Sequence, residues 1–162
     1  MLKKINDENI FKFILNNLRE EDLCELITSK GENWFNETLE TIKSSNTIVL
    51  FIKTNRGKFV PIAMGGFEPC CDNGKDKTAI VWLLATKYID KYKFIFWKEL
   101  RNYFKQEETK YTILFNFIYK TNFQAKNWLR LLGFKFDNPK PTNIYMPENF
   151  EFFYKIINRK EK

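Results

Sequence analysis

Between Tyr111 and Phe136 the spacing of hydrophobic positions changes period twice, which predicts a strand, a helix and a second strand in succession. Tyr111 to Tyr119 is a continuous apolar and aromatic run with β-branched residues, the composition of a strand buried on both faces. Thr121 and Asn122 are cap-type residues, after which Ala125, Trp128, Leu129 and Leu132 recur at helical spacing. Gly133 sits where a helix ends in a left-handed residue, and Phe134 to Phe136 reads as the next short strand. An ordinary strand crossing over a buried helix satisfies the same pattern, since Trp and Leu stripes at this spacing are usually core.

The opening Met-Leu-Lys-Lys leads into a polar helix, not an apolar signal core. Asp7 caps that helix, which runs to about Leu18 with Ile10, Phe13, Ile14 and Asn17 on one face. A second helix, about Glu20 to Ser29, buries Leu23, Leu26 and Ile27 and stops at Gly31. A third, capped by Asn33, runs to about Ser45 with Trp34, Leu39 and Ile42 inward. Thr47 to Thr54 is a strand, Asn55-Arg56-Gly57-Lys58 a hairpin turn, and Phe59 to Phe67 an antiparallel return. Gly65 and Gly66 inside that return signal a bulge or a close backbone approach. Glu68 to Lys77 is polar and contains Pro69 and Asn73-Gly74, as a loop does.

Thr78 to Thr86 is apolar and hence a central strand. Asp90 then caps a helix to about Gln106, with Phe94, Trp97, Leu100, Arg101 and Phe104 as its inner stripe. After the Tyr111 to Phe136 unit come a rigid loop at Asn138 to Pro141, a short strand at Ile144 to Met146, a last strand from Phe150 to Ile157 and a charged tail. The sum is one α/β (α+β) domain over residues 1–162, built on a mixed, mostly antiparallel sheet of about six to seven strands with helices on both faces.

A net charge of +7 invites an acidic partner, whether nucleic acid, a phosphate-bearing cofactor or an acidic protein surface. The lysines are scattered, however, and no basic block stands out beyond Asn158-Arg159-Lys160. The complete absence of histidine removes imidazole acid–base chemistry, a Ser-His-Asp triad and imidazole metal ligation together. Cys24, Cys70 and Cys71 form neither a disulfide framework nor a Cys-x-x-Cys zinc pattern, which implies a reducing, intracellular setting. No run approaches the length of a membrane span, so the chain is expected to be neither exported by an ordinary signal nor inserted.

Asn122, Ala125 three residues on, and Gly133-Phe134 eight and nine residues after that alanine resemble the N-x-x-A…G-F segment of the GNAT acyltransferase superfamily. LREEDLCELITSKGENWFNETLETIKSS, AMGGF and VWLLATKYI, in that order, resemble a GNAT-like family of bacteriophage proteins that includes internal virion proteins of short-tailed phages. The likeness spans about residues 16–136.

The GNAT resemblance implies an acetyl-CoA cleft where the strand at Thr78 to Thr86 splays from the one at Tyr111 to Tyr119. The cofactor's pyrophosphate would sit on backbone amides opening the next helix, where unsatisfied N–H groups and the helix dipole favour an anion. On that footing Leu84, Ala85 and Thr86 would line the pantetheine arm, Lys91, Tyr92 and Lys93 the phosphates, and Asn122 would contact the cofactor. Capping its own helix is the simpler explanation of Asn122. The family's Gln/Arg-x-x-Gly-x-Gly/Ala turn corresponds to about Ile89 to Ile95, which holds no glycine. Side chains there crowd the phosphate path, and Asp90 adds a like charge that Lys91 and Lys93 partly offset.

The tyrosine that protonates the leaving thiolate in many GNAT enzymes is matched here by Leu129, preceded by Trp128. Tyr92, Tyr119 and Tyr145 are candidates to replace it, and no catalytic residue or metal ligand is assigned. Arg19-Glu20-Glu21-Asp22 either supplies a base for a substrate amine or is simply a favourable charge arrangement in a first helical turn.

The function expected from this is a GNAT-like bacteriophage protein, virion- or assembly-associated, with a degenerate acyl-CoA site. Its partners would be proteins, other virion proteins among them, and its place the cytoplasm of an infected bacterial host or the virion. The alternative is an active acyl-CoA N-acyltransferase acting on an amine of a protein or small molecule. Nucleic acid and membrane are not expected partners: the case for nucleic acid rests on net charge alone.

Overall fold

The computed structural model describes residues 1–72, 74, 76–136 and 147–157. Strands β1 (Leu2–Lys4), β2 (Ile48–Lys53), β3 (Phe59–Asp72), β4 (Lys77–Ala85), β5 (Ile113–Tyr119) and β6 (Phe150–Ile156) lie in one sheet in that order. Helices α1 (Glu8–Leu15), α2 (Glu20–Lys30), α3 (Trp34–Ser44), α4 (Ile89–Glu107) and α5 (Phe123–Leu131) connect them. The β1/β2, β2/β3 and β5/β6 pairs are antiparallel and β4/β5 is parallel, the mixed sheet that the pattern predicts. By internal contacts the chain divides into two units, Met1–Gly66 with Trp82–Asn102, and Phe67–Val81 with Tyr103–Lys162.

In the first unit the opening residues form β1, in register with β2 through Leu2↔Leu50 and Lys4↔Ile48, where a polar helix start was expected. Pairing with an apolar strand outweighs the weak strand propensity of two lysines. Asp7 caps α1 as expected, accepting the Asn9 N–H at 2.9 Å. The inner face of α1 is Phe11, Ile14 and Leu15, one position off the predicted stripe, and Phe13 is 38 % exposed. The helix stops early because the Asn17 side-chain amide donates to the Phe13 carbonyl at 2.8 Å.

Gly31 ends α2 with φ 66°, and a 3₁₀ turn over Gly31–Asn33 runs straight into α3, so the Asn33 side chain makes no cap bond. On α2 Leu26 is buried but Ile27 is 46 % exposed. Leu39 and Ile42 of α3 join Phe11, Ile14, Leu15 and Leu26 over Val49 and Met64, which face each other across the β2/β3 ladder. Each such side chain contributes roughly 1.5–3 kcal/mol on burial.

The bulge lies between Leu50 and Phe51, not at the glycine pair. Gly65 and Gly66 instead serve close approach: a Cβ on Gly65 would lie 2.6 Å from the Trp82 carbonyl oxygen, and one on Gly66 would lie 3.0 Å from that of Asn46. In α4 Tyr92 is non-helical (φ −121°, ψ 19°) and resets the helical phase. Ile89, Phe96 and Leu100 are therefore buried, whereas Phe94, predicted to be inward, is 82 % exposed.

In the second unit β3 runs on to Asp72 through most of the expected loop, with every residue from Glu68 exposed. A ribbon bare on both faces carries no apolar alternation, so its sequence looks like loop. Parallel pairing of β4 with β5 (Thr78↔Ile113, Ala79↔Leu114, Ile80↔Phe115) is extended by the Thr112 N–H, which donates to the Lys77 carbonyl at 2.7 Å. β6 pairs with all of β5, from Ile113↔Ile156 to Tyr119↔Phe150.

Asn122 caps α5 by accepting the Ala125 N–H at 3.3 Å. Gly133 (φ 88°) closes the helix, and the Phe134 N–H reaches back to the Leu129 carbonyl at 3.0 Å. Lys155 holds the same end, donating to the Leu132 carbonyl at 2.7 Å and pairing with Glu108. The strand expected at Phe134 to Phe136 shrinks to one bridge, Lys135↔Tyr154. The predictions for Asn138 to Pro141, Ile144 to Met146, Tyr145 and residues 158–162 lie outside the described residues.

Candidate functional site

The end of β4 carries most of the chemistry that the sequence singled out. Thr86, fully buried, gives both its N–H and its hydroxyl to the Ile62 carbonyl, at 2.8 and 3.0 Å. Because successive strand residues direct their backbone groups to opposite edges, Ala85 addresses the edge away from Ile62. There the Ala85 N–H donates to Asp22 Oδ2 at 2.8 Å, and its carbonyl accepts the Arg19 N–H at 2.9 Å. Leu18 forms an antiparallel bridge with Thr86, and the Lys87 N–H donates to the Asn17 carbonyl at 3.0 Å. The connection between α1 and α2 thus lies along the edge of β4 as a short extra strand.

Arg19 and Asp22 hold that connection. The guanidinium donates from Nε to Oδ2 at 3.2 Å and from Nη2 to Oδ1 at 2.5 Å, a two-point pairing of a charged fork with a carboxylate. Arg19 is 5 % exposed and Asp22 4 %. Glu20, Glu21 and Asp22 do stand in the first turn of α2, the charge arrangement that the sequence suggests, but Arg19 and Asp22 are buried there. The available signal was the spacing: an Arg and an Asp three apart fit a bidentate pair that one turn can close.

Beyond Thr86 the chain turns tightly into α4. The Ile89 N–H donates to the Thr86 carbonyl at 3.0 Å and the Lys91 N–H to the Tyr88 carbonyl at 3.2 Å. The break at Tyr92 separates this turn from the regular helix. Lys91 and Lys93 are exposed, with their ammonium groups 5.6 and 5.9 Å from the ring centres of Tyr92 and Phe94. Leu84 is half-buried, as is Tyr92.

In the second unit Asn122 is 2 % exposed and acts as a helix cap, and its backbone carbonyl accepts the Lys126 N–H at 3.0 Å. The β4/β5 main-chain pairing ends at Ile80↔Phe115, after which the Asn116 side-chain amide donates to the Val81 carbonyl at 2.8 Å. Tyr119 stacks edge-on with Phe150, and Leu129 is half-buried on α5. Among the described residues no group of acidic or sulfur side chains is arranged to hold a metal ion, and no helix is long and apolar enough to cross a membrane.

No protein-family model and no curated protein matches this sequence. Solved structures do match over nearly the whole chain. An acetyltransferase of the GNAT family from Streptococcus pneumoniae has a TM-score of 0.57 at 13 % identity, over 97 % of this chain and 99 % of that one. An aminoglycoside N(6′)acetyltransferase from Legionella pneumophila has a TM-score of 0.64 at 11 % identity, over 96 % and 91 %. The fold is the GNAT acetyltransferase fold. A spermidine N-acetyltransferase from Vibrio cholerae, solved with CoA and spermine, is also similar, with a TM-score of 0.61 at 10 % identity over 96 % and 94 %.

A GNAT fold implies acyl-CoA, and backbone groups at the end of β4 are engaged within the chain. The Ala85 N–H and carbonyl, on the strand where the pantetheine arm was expected, are bonded to Asp22 and Arg19. The turn that would take the pyrophosphate carries side chains at all of its positions, and its Ile89 and Lys91 amides are bonded within the turn.

Proposed function

We propose that this GNAT-fold protein works by binding other proteins, and that its acyl-CoA site is degenerate. The carrying observation is the commitment of the Ala85 N–H and carbonyl to Asp22 and Arg19. Support also comes from the turn after Thr86, which lacks glycine, and from Leu129 where a proton-donating tyrosine would stand. What supports virion or assembly proteins as the partners is the resemblance of residues 16–136 to GNAT-like bacteriophage proteins. Titration calorimetry with acetyl-CoA is expected to give no binding heat for a protein that is folded by circular dichroism. Saturable micromolar binding would overturn the proposal. The virion setting is tested separately, by mass spectrometry of purified particles; presence in infected-cell lysate but absence from particles would refute it.

Acyl-CoA-dependent N-acyltransfer is the second reading. What favours it is the fold likeness to acetyltransferases over more than nine-tenths of this chain, one of them solved with CoA and spermine. Binding of acetyl-CoA together with amine-dependent release of free thiol would establish it.

A further inference from the structure

From Lys87 to Arg101 the chain places five cations against two acids, and two neighbouring apolar side chains stand exposed among them. Phe94 is 82 % and Ile95 48 % exposed, adjacent in sequence and past the break at Tyr92. Lys98 and Arg101 follow Phe94 at i+4 and i+7, so they continue the same solvent stripe of α4 and are themselves exposed. Lys91 and Lys93 flank the apolar pair on its N-terminal side. Isolated exposed apolar residues are ordinary, but a neighbouring Phe and Ile on a helix whose opposite face already buries Phe96 and Leu100 form an apolar tip with a basic rim.

We infer that this tip is a peripheral docking surface for an anionic phospholipid bilayer. Such a tip needs a partner that is negative at its surface and apolar just beneath, and a bilayer bearing acidic headgroups has that layering. Phe94 and Ile95 enter the headgroup–acyl boundary while Lys91, Lys93, Lys98 and Arg101 meet headgroup phosphates and carboxylates. A nucleic acid supplies the charge but no hydrocarbon for Ile95, whose side chain neither stacks on a base nor hydrogen-bonds to one. Attachment of this size is weak and reversible, and it is independent of whether the end of β4 takes acyl-CoA.

The test is sedimentation of the protein with vesicles of phosphatidylserine and phosphatidylcholine, against vesicles of phosphatidylcholine alone. Binding is expected only where phosphatidylserine is present and is expected to fall with added salt. Replacing Lys98 and Arg101 together with Gln is expected to lower the partition constant about fivefold for each charge removed. Phe94→Ser with Ile95→Ser is expected to abolish sedimentation while leaving the urea midpoint unchanged. No binding to phosphatidylserine vesicles overturns the inference, as does binding that survives the double Ser variant. Retention of a single-stranded oligonucleotide without vesicle binding also overturns it and assigns the surface to nucleic acid.

Discussion

Asp22 accepts the Ala85 N–H at 2.8 Å across 63 positions of sequence, while the same carboxylate pairs with the Arg19 guanidinium. One buried carboxylate therefore fixes both the start of α2 and the end of β4. Asp22→Ala removes the carboxylate that pairs with the buried Arg19 guanidinium and leaves the Ala85 amide without its acceptor. The expected loss is about 3–5 kcal/mol, read as a lower urea midpoint at unchanged slope. Arg19→Met with Asp22→Leu should recover part of it, because the buried ion pair is removed as a whole while the Ala85 N–H still lacks its acceptor. A loss below about 1 kcal/mol in the single variant would mean that the pair does not hold the connection.

Thr38 is 4 % exposed, and its hydroxyl has no hydrogen-bond partner among the described residues. Thr38→Val keeps the shape and removes the unsatisfied group, so it should stabilise by about 1 kcal/mol. Thermal unfolding checks the sign, and a lower midpoint would show that the hydroxyl is satisfied in solution.

Gly65 and Gly57 separate two reasons for a glycine. A methyl on Gly65 meets the Trp82 carbonyl oxygen at 2.6 Å, and that oxygen belongs to the backbone of the neighbouring strand and cannot swing aside. Gly57 has φ 76° in the hairpin turn and nothing within 4 Å. Gly65→Ala should destabilise by about 2–3 kcal/mol through overpacking. Gly57→Ala should lose only about 1–2 kcal/mol, from backbone strain. Chemical denaturation of the two variants side by side gives the order, and the reverse order would refute the close approach.

Tyr103 titrates well above its ordinary value near 10, because burial disfavours the phenolate and the Glu107 carboxylate and Tyr111 add to the effect. Tyr111 shifts the same way, again mainly by burial. A folded-state value raised above the unfolded one means that the native state holds its proton longer. The stabilisation is therefore full below about pH 10 and declines as pH rises from there. The urea midpoint should fall above that pH, and it should fall less steeply in Tyr103→Phe. Equal slopes would show that the ring is solvated.

These outcomes bear on what a sequence can disclose. The hairpin at Gly57, β2, β4, β5 and the caps at Asp7 and Asn122 are legible because each rests on a local rule: alternation, a turn residue, a side chain bonding two or three residues on. The phase of α4 is legible only in part, since the break at Tyr92 has no Pro or Gly to announce it: Leu100 and Phe104 of the predicted stripe are buried, but Phe94 faces solvent. β1 escapes because two lysines in three residues say nothing of a partner strand more than 40 residues away. At the candidate site the missing glycines and Leu129 are plain in the sequence. The burial of Arg19 and Asp22 is not, because the group that they satisfy, the Ala85 backbone, has no side-chain signature.

The strands stand in the sheet in the order in which they occur in the chain. That order has a kinetic consequence. During synthesis no strand waits for a later one to be inserted between it and its neighbour, so the sheet grows outward from whatever has already emerged. β1, parked until β2 appears, closes the longest of the connections between paired strands among the described residues, with the three helices that follow it filling the gap. A chain stalled or truncated after β4 would retain every strand pairing made up to that point.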